Sequence, residues 1–333
     1  MEDRELLSRF VGCFMGLAIG DALGAPVEFL TRDDIAERHG PNGVRSFLPW
    51  GGFPAGSYTD DTQLSMATAI GCIRSHQHEI ARGTVDLETQ LWRSYKDWRR
   101  TQNDPTQTRA PGSTCLAVLR SKYRGSPEEP ANNSKGCGGV MRTAPLGLVF
   151  LPPLAFRHGV MAAALTHGHP SGYLGAGLLS AIIAFIVRGL EVRDSVRQSL
   201  GILARQPNAE ETQEAVKQAV MLAGSNMHEM EAIERLGLGW VGDEAIAIAV
   251  FCAIRHDSSF VEAVTAAVNH DGDSDSTGSI TGAIVGTHLG LGGLPRTWID
   301  EVENAAGLKK LSRDLFLACV KGQELSFDEY SVE

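Results

Sequence analysis

Two short stretches of this 333-residue chain concentrate carboxylates in a pattern that can do chemistry. In GSYTDDTQLS, residues 56 to 65, Asp60 and Asp61 stand between Thr59 and Thr62, ahead of a segment with an apolar face. In DGDSDST, residues 271 to 277, Asp271, Asp273 and Asp275 alternate with small residues and run into the hydroxyls of Ser276 and Thr277. Carboxylates grouped this way repel one another, and burying them is costly unless a cation offsets their charge. Hard oxygen donors of this kind suit magnesium, manganese or calcium rather than zinc.

Each stretch also has a plainer reading. Thr59 can cap a helix whose first turn welcomes Asp60 and Asp61 against its dipole. The alternating aspartates match the first, third and fifth positions of an EF-hand loop. That loop requires Gly at its sixth position and Glu at its twelfth, where this chain has Ser276 and Gly282. Two remote acidic motifs meeting around a two-ion centre fit the pair of stretches better.

The elements that would carry them read as helices. Apolar residues recur at helical spacing and alternating runs are rare, so the expected class is all-α, with helices over about residues 4–20, 60–75, 85–100, 113–123, 155–166, 172–189, 192–204, 210–223, 228–235, 242–255, 259–269, 276–290 and 298–305. Polar loops are expected at 38–58, 101–112 and 124–139, where ligand contacts would concentrate. Gly12, Gly16, Gly20 and Gly24 recur every fourth residue, as do Gly278, Gly282, Gly286 and Gly290. Such a stripe gives up about 1 kcal/mol per Gly relative to Ala, and its use is close approach of helix axes. Either each stripe packs on a different helix, or the two pack together and bring GDALG (20–24) close to DGDSDST.

Composition narrows the function. The chain has 43% hydrophobic and 21% charged residues, and no low-complexity linker divides it, so one domain over 1–333 is expected. A net charge of −10 argues against a nucleic-acid partner. The six cysteines are scattered without CxxC, which fits a reducing, cytoplasmic setting. The start does not read as a signal peptide, and the most apolar run, 172–187, is shorter than the roughly 20 residues that span a bilayer, so no membrane partner is expected. GLGWVG at 237–242 matches G-x-G-x-x-G but follows a helical segment instead of a strand, which excludes a dinucleotide fold. Cys137 has no local base and reads as a loop or packing residue.

Five motifs in order, GLAIGDALGAPVEF (16–29), YTDDTQLSM (58–66), GCGGVMRTAPLG (136–147), THGHPSGYLGA (166–176) and DGDSDSTGSITGAIVG (271–286), resemble those of the ADP-ribosylglycohydrolase family over nearly the whole chain. The resemblance implies a compact single-domain orthogonal helical bundle with a central cleft holding two Mg2+ or Mn2+ ions. It implies metal ligands at Thr59, Asp60, Asp61, Asp273, Asp275 and Ser276, with Asp271 just outside the set. Glu28 falls where relatives keep a mobile glutamate near the scissile bond, and it is the expected acid or base, with Asp61 the carboxylate nearest the attacking water. Gly136, Cys137, Gly138, Gly139, Val140 and Met141 would wrap the ribose and diphosphate, with His167 and Tyr173 lining the cleft. Tyr58 stands where relatives often have Trp, and Cys137 where some have Asn.

The implied activity is hydrolysis of the bond between the anomeric carbon of ADP-ribose and a protein acceptor, with ADP-ribosyl-arginine favoured over ADP-ribosyl-serine. Two other outcomes stay open at this level. The chain could bind ADP-ribose or an ADP-ribosyltransferase without turnover, as a neutralising protein would, or it could cut the diphosphate and yield AMP.

Overall fold

The two glycine stripes are packed against each other. In the computed structural model, which describes residues 2–325 and Tyr330, the helix Asp3–Gly24 runs antiparallel to the helix Ser274–Leu289 through the middle of the molecule. A methyl group built on Gly12, Gly16, Gly20 or Gly24 would overlap the backbone of Gly286, Gly282, Gly278 or Ser274 in turn. Only bare backbone permits that approach. Both helices are apolar nearly all round, the mark of a helix with neighbours on every side, and residues 10–24 and 274–287 are buried without a break. By length and mean hydropathy Asp3–Gly24 is long and apolar enough to cross a membrane. Here it is sheathed by the helices Ser274–Leu289, Ala305–Cys319 and Phe260–Val268.

Sixteen α-helices, and no strands, make up the regular structure among the described residues, packed as a single compact domain. The expected all-α class holds. Asp60–Arg82 starts at its Thr59 cap, whose Oγ1 accepts from Asp61 N at 3.3 Å, and stops at Gly83, whose φ of +72° a side chain would resist. Pro170–Ile186 and Gly242–Arg255 complete the apolar centre.

The boundaries differ from expectation in three instructive places. The first helix runs on to Gly24, so GDALG is helical, because the packed partner offsets the helix cost of Gly20 and Gly24. A short helix, Arg32–His39, follows on a capping box between Thr31 and Asp34. The segment expected as one helix over 298–305 is two: Arg296–Glu301 ends, Asn304 turns the chain at φ +52°, and Ala305–Cys319 begins. Leu308, Leu311 and Leu315 bury one face of that last helix, a helical spacing overlooked in the sequence.

Candidate active site

The antiparallel pair brings the C-terminal end of Asp3–Gly24 beside the N-terminal end of Ser274–Leu289, and Asp60–Arg82 starts at the same point. Asp21 joins them. Completely buried on the first helix, its carboxylate accepts from Thr59 N at 2.8 Å, Thr62 N at 2.9 Å and Thr62 Oγ1 at 2.6 Å. This clamp fixes the turn that presents Asp60 and Asp61. On the other side, Asp273 N donates to Leu238 O at 2.8 Å and Ser276 N to Asp275 Oδ1 at 2.9 Å.

The two acidic motifs therefore meet, 212 residues apart in sequence when counted from Asp61 to Asp273 (273 minus 61). Asp60, Asp61, Asp273, Asp275 and Ser276 line one wall of a cavity of about 430 Å³, and Glu28 joins them from the turn after the first helix. Carboxylate oxygens of Glu28, Asp273 and Asp275 come within 4.8 Å of one another. Thr59 is fully buried behind this wall, its Oγ1 3.4 Å from Asp61 Oδ2.

No Lys or Arg is among the described residues lining the cavity. Burial first, and then the charge of Asp275, pushes the carboxyls of Asp60, Asp61 and Asp273 well above the usual range, Glu28 to about 10 and Asp21 to about 7. Burial raises Asp275 as well. Asp61 Oδ1 is buried with no hydrogen-bond partner. An orphaned carboxylate oxygen facing a cluster of like charge is what a divalent cation would satisfy, so the donor set fits a hard metal ion.

The Gly-rich loop adds a second wall that adjoins the first. Gly136, Cys137, Gly138, Met141 and His167 line the cavity, while Gly139, Val140 and Tyr173 are not among its lining residues. Gly139 is needed for packing, since a Cβ there would lie 2.8 Å from Gly172 O. Val140 is wholly buried and Tyr173 sits in the helix Pro170–Ile186. Cys137 Sγ donates to Asp273 Oδ2 at 2.7 Å, and burial together with Asp273 holds the thiol in its protonated form, consistent with a loop role. The 237–242 segment, whose glycines suggested nucleotide binding only superficially, is this loop's backbone partner: Cys137 N donates to Trp240 O at 3.1 Å and Gly242 N to Lys135 O at 2.8 Å.

Several lining residues carried no clear signal in the sequence. Trp240 reaches the cavity, and Phe29, 73% exposed, stacks on it with centroids 5.1 Å apart. Phe29 also holds a φ of +69°, a strained conformation for a bulky residue. Residues 110–112 close another side, from a loop singled out for ligand contacts by its polarity. Asp271, outside the cluster, accepts from Arg32 N and so ties down the chain that leaves Glu28.

A sequence profile described as ADP-ribosylglycohydrolase matches residues 2–324. The chain belongs to the ADP-ribosylglycohydrolase family. Relatives match along most of their length. The ADP-ribosyl-[dinitrogen reductase] glycohydrolase of Rhodospirillum rubrum is 25% identical, with 89% of this chain and 90% of that one aligned. ADP-ribosylarginine hydrolase Tri1 of Pseudomonas putida is 24% identical over 94% of this chain and 79% of that one, and ADP-ribosylhydrolase ARH3 of Homo sapiens 26% over 89% and 90%. A solved structure titled ADP-ribosylglycohydrolase-related protein complex superposes with a TM-score of 0.66 at 24% identity, covering 94% of this chain and 98% of that one, which supports the helical fold.

Proposed function

We propose that this ADP-ribosylglycohydrolase-family protein removes ADP-ribose from modified proteins by metal-dependent hydrolysis, cleaving the N-glycosidic bond of ADP-ribosyl-arginine. The observation that carries the reading is the convergence of Glu28, Asp60, Asp61, Asp273 and Asp275 on one cavity with no Lys or Arg among the described residues that line it. Thr59, Asp60, Asp61, Asp273, Asp275 and Ser276 would hold two Mg2+ or Mn2+ ions. Such ions neutralise the carboxylates, orient substrate hydroxyls and lower the pKa of water.

The chain's own groups do the rest. In hydrolysis the bond from the anomeric carbon to the acceptor nitrogen breaks, a bond to water oxygen forms, and positive charge develops on the ribose in between. The carboxylates around it stabilise that charge electrostatically. Glu28 donates a proton to the leaving nitrogen, and Asp61 takes one from the water. Space suits the substrate. A second, open pocket of about 610 Å³ shares Ser113 and Thr114 with the first, which leaves room for adenosine beyond the diphosphate.

The arginine acceptor is supported at the other end. Phe29 adjoins Glu28, so the Phe29–Trp240 stack lies near the scissile bond, and a planar guanidinium stacks on aromatic rings as a serine hydroxyl cannot. One relative carries the name ADP-ribosylarginine hydrolase. The six cysteines are all free, which supports a cytoplasmic setting for the reaction.

The test is a product assay on arginine-linked and serine-linked ADP-ribose, with Mg2+ or Mn2+ and with EDTA. Metal-dependent release of free ADP-ribose from arginine is expected. Release from serine alone would replace the acceptor, and AMP would replace the scissile bond. Binding without release would make the chain a binder of ADP-ribose, or of an ADP-ribosyltransferase.

A further inference from the structure

The bulkiest side chain to be completely buried is a charged one, Arg142 at the end of the GCGGVMR loop. No carboxylate pairs with it among the described residues, and an unpaired buried cation is expensive. Its guanidinium lies over the Tyr95 ring at 4.4 Å. Nη1 donates to Cys115 Sγ at 3.4 Å, and Nη2 donates to Ala162 O at 2.9 Å, in the last turn of the helix Pro152–Ala164 where the dipole is negative. The remaining contact points toward the cavity.

Arg142 Nη2 also donates to Thr166 Oγ1 at 2.7 Å, and that oxygen is 2.8 Å from His167 Nδ1. Arginine has donors only, so Thr166 Oγ1 accepts from it and has one proton left to give. His167 Nδ1 at 2.8 Å is the nearest acceptor for that proton, with Ala163 O at 3.4 Å and Cys115 Sγ also beside it. At 3.4 Å the Ala163 contact is long for a hydroxyl donor, so Nδ1 is the better acceptor. The cation behind Thr166 also disfavours a proton on the near side of the ring. Burial and, after it, Arg142 depress His167 to about 3, so the ring is neutral, and with Nδ1 accepting from Thr166 its single proton is on Nε2. Nε2 has no hydrogen-bond partner among the described residues. It faces the Gly-rich loop, where a Cβ on Gly136 or Gly138 would lie 3.4 or 3.3 Å from it, and His167 lines the cavity.

We propose that Arg142 and Thr166 are positioning residues that lock His167 in its neutral Nε2–H form, aimed into the cavity to donate to an anionic oxygen of the ligand. That the oxygen belongs to the diphosphate of ADP-ribose rests on the function proposed above. The device gives an anion a directed donor in a cavity whose other wall is acidic, without placing a second cation among the carboxylates.

Nitrogen NMR of protein carrying isotope-labelled histidine tests the lock with no ligand present. His167, assigned by the signal lost in His167→Gln, is expected to show a protonated Nε2 and a bare Nδ1 near neutral pH. Thr166→Val should mix the two forms and weaken ADP-ribose binding about tenfold, the loss of one charge-assisted hydrogen bond, while Thr166→Ser restores both. A wild-type His167 that is protonated on Nδ1, or doubly protonated, overturns the proposal, and this spectrum decides even where Thr166→Val does not fold. A folded Thr166→Val with wild-type tautomer and wild-type affinity overturns it too. The expected tautomer in a protein that does not bind ADP-ribose upholds the lock and sinks the ADP-ribose reading instead.

Discussion

Gly20→Ala is expected to destabilise the protein, although Ala is the better helix former. The methyl would enter the carbonyl of Gly278 on the facing helix. Propensity favours the substitution by about 1 kcal/mol. Overpacking costs about 1–3 kcal/mol, and the upper end applies because the obstacle is main chain that cannot rotate aside. The net loss is roughly 2 kcal/mol. An unfolding entropy of about 2.1 cal/mol/K per residue comes to about 0.7 kcal/mol/K for this chain, so Tm should fall by about 3 °C. Gly201 supplies the opposite control. It is exposed in the helix Val192–Leu203 with nothing within 4 Å of a built Cβ, so Gly201→Ala should raise Tm by about 1 °C. Scanning calorimetry reads both signs. A rise for Gly20→Ala would mean that the helices do not touch through bare backbone, and the placement of the two acidic motifs would lose its basis.

Four further outcomes concern the site. Glu28→Gln should keep metal binding yet lose about 100- to 10,000-fold in turnover, the usual weight of a general acid or base; a rate near wild type would remove Glu28 from the chemistry. Asp273→Ala, like Asp60→Ala, should abolish both activity and its response to added Mg2+ or EDTA, read in the same product assay. Asp21→Asn replaces one acceptor oxygen with a donor facing Thr62 N and Thr62 Oγ1, so metal titration should show affinity about 10- to 100-fold weaker, and unchanged affinity would refute the clamp. Phe29→Ala alters a side chain that is mostly in solvent, so stability should stay within about 0.5 kcal/mol of wild type. Its KM for arginine-linked ADP-ribose should rise about two- to fivefold more than for the serine-linked form.

Local spacing made the helical class legible, because residues three and four apart share a helix face whatever surrounds the helix. The acidic motifs were legible by type: Asp60, Asp61, Asp273 and Asp275 repel one another wherever they sit, so their grouping already asked for a cation. Less visible was whatever depends on a partner distant in the chain. Asp21 looked like one residue of a glycine motif, and its three hydrogen bonds to Thr59 and Thr62 exist only because two helices meet. Phe29 and Trp240, stacked beside Glu28, come from segments with no shared pattern.

Residue types and short periods alone determined that the chain is helical, that its glycine stripes need close neighbours and that its aspartates need positive charge. Those are properties of single elements. Which stripe meets which, which wall His167 faces and which end of the cavity the aromatic stack guards were decided by tertiary packing. Contact between remote segments depends on shape complementarity and burial summed over the whole core, and no local spacing encodes that sum.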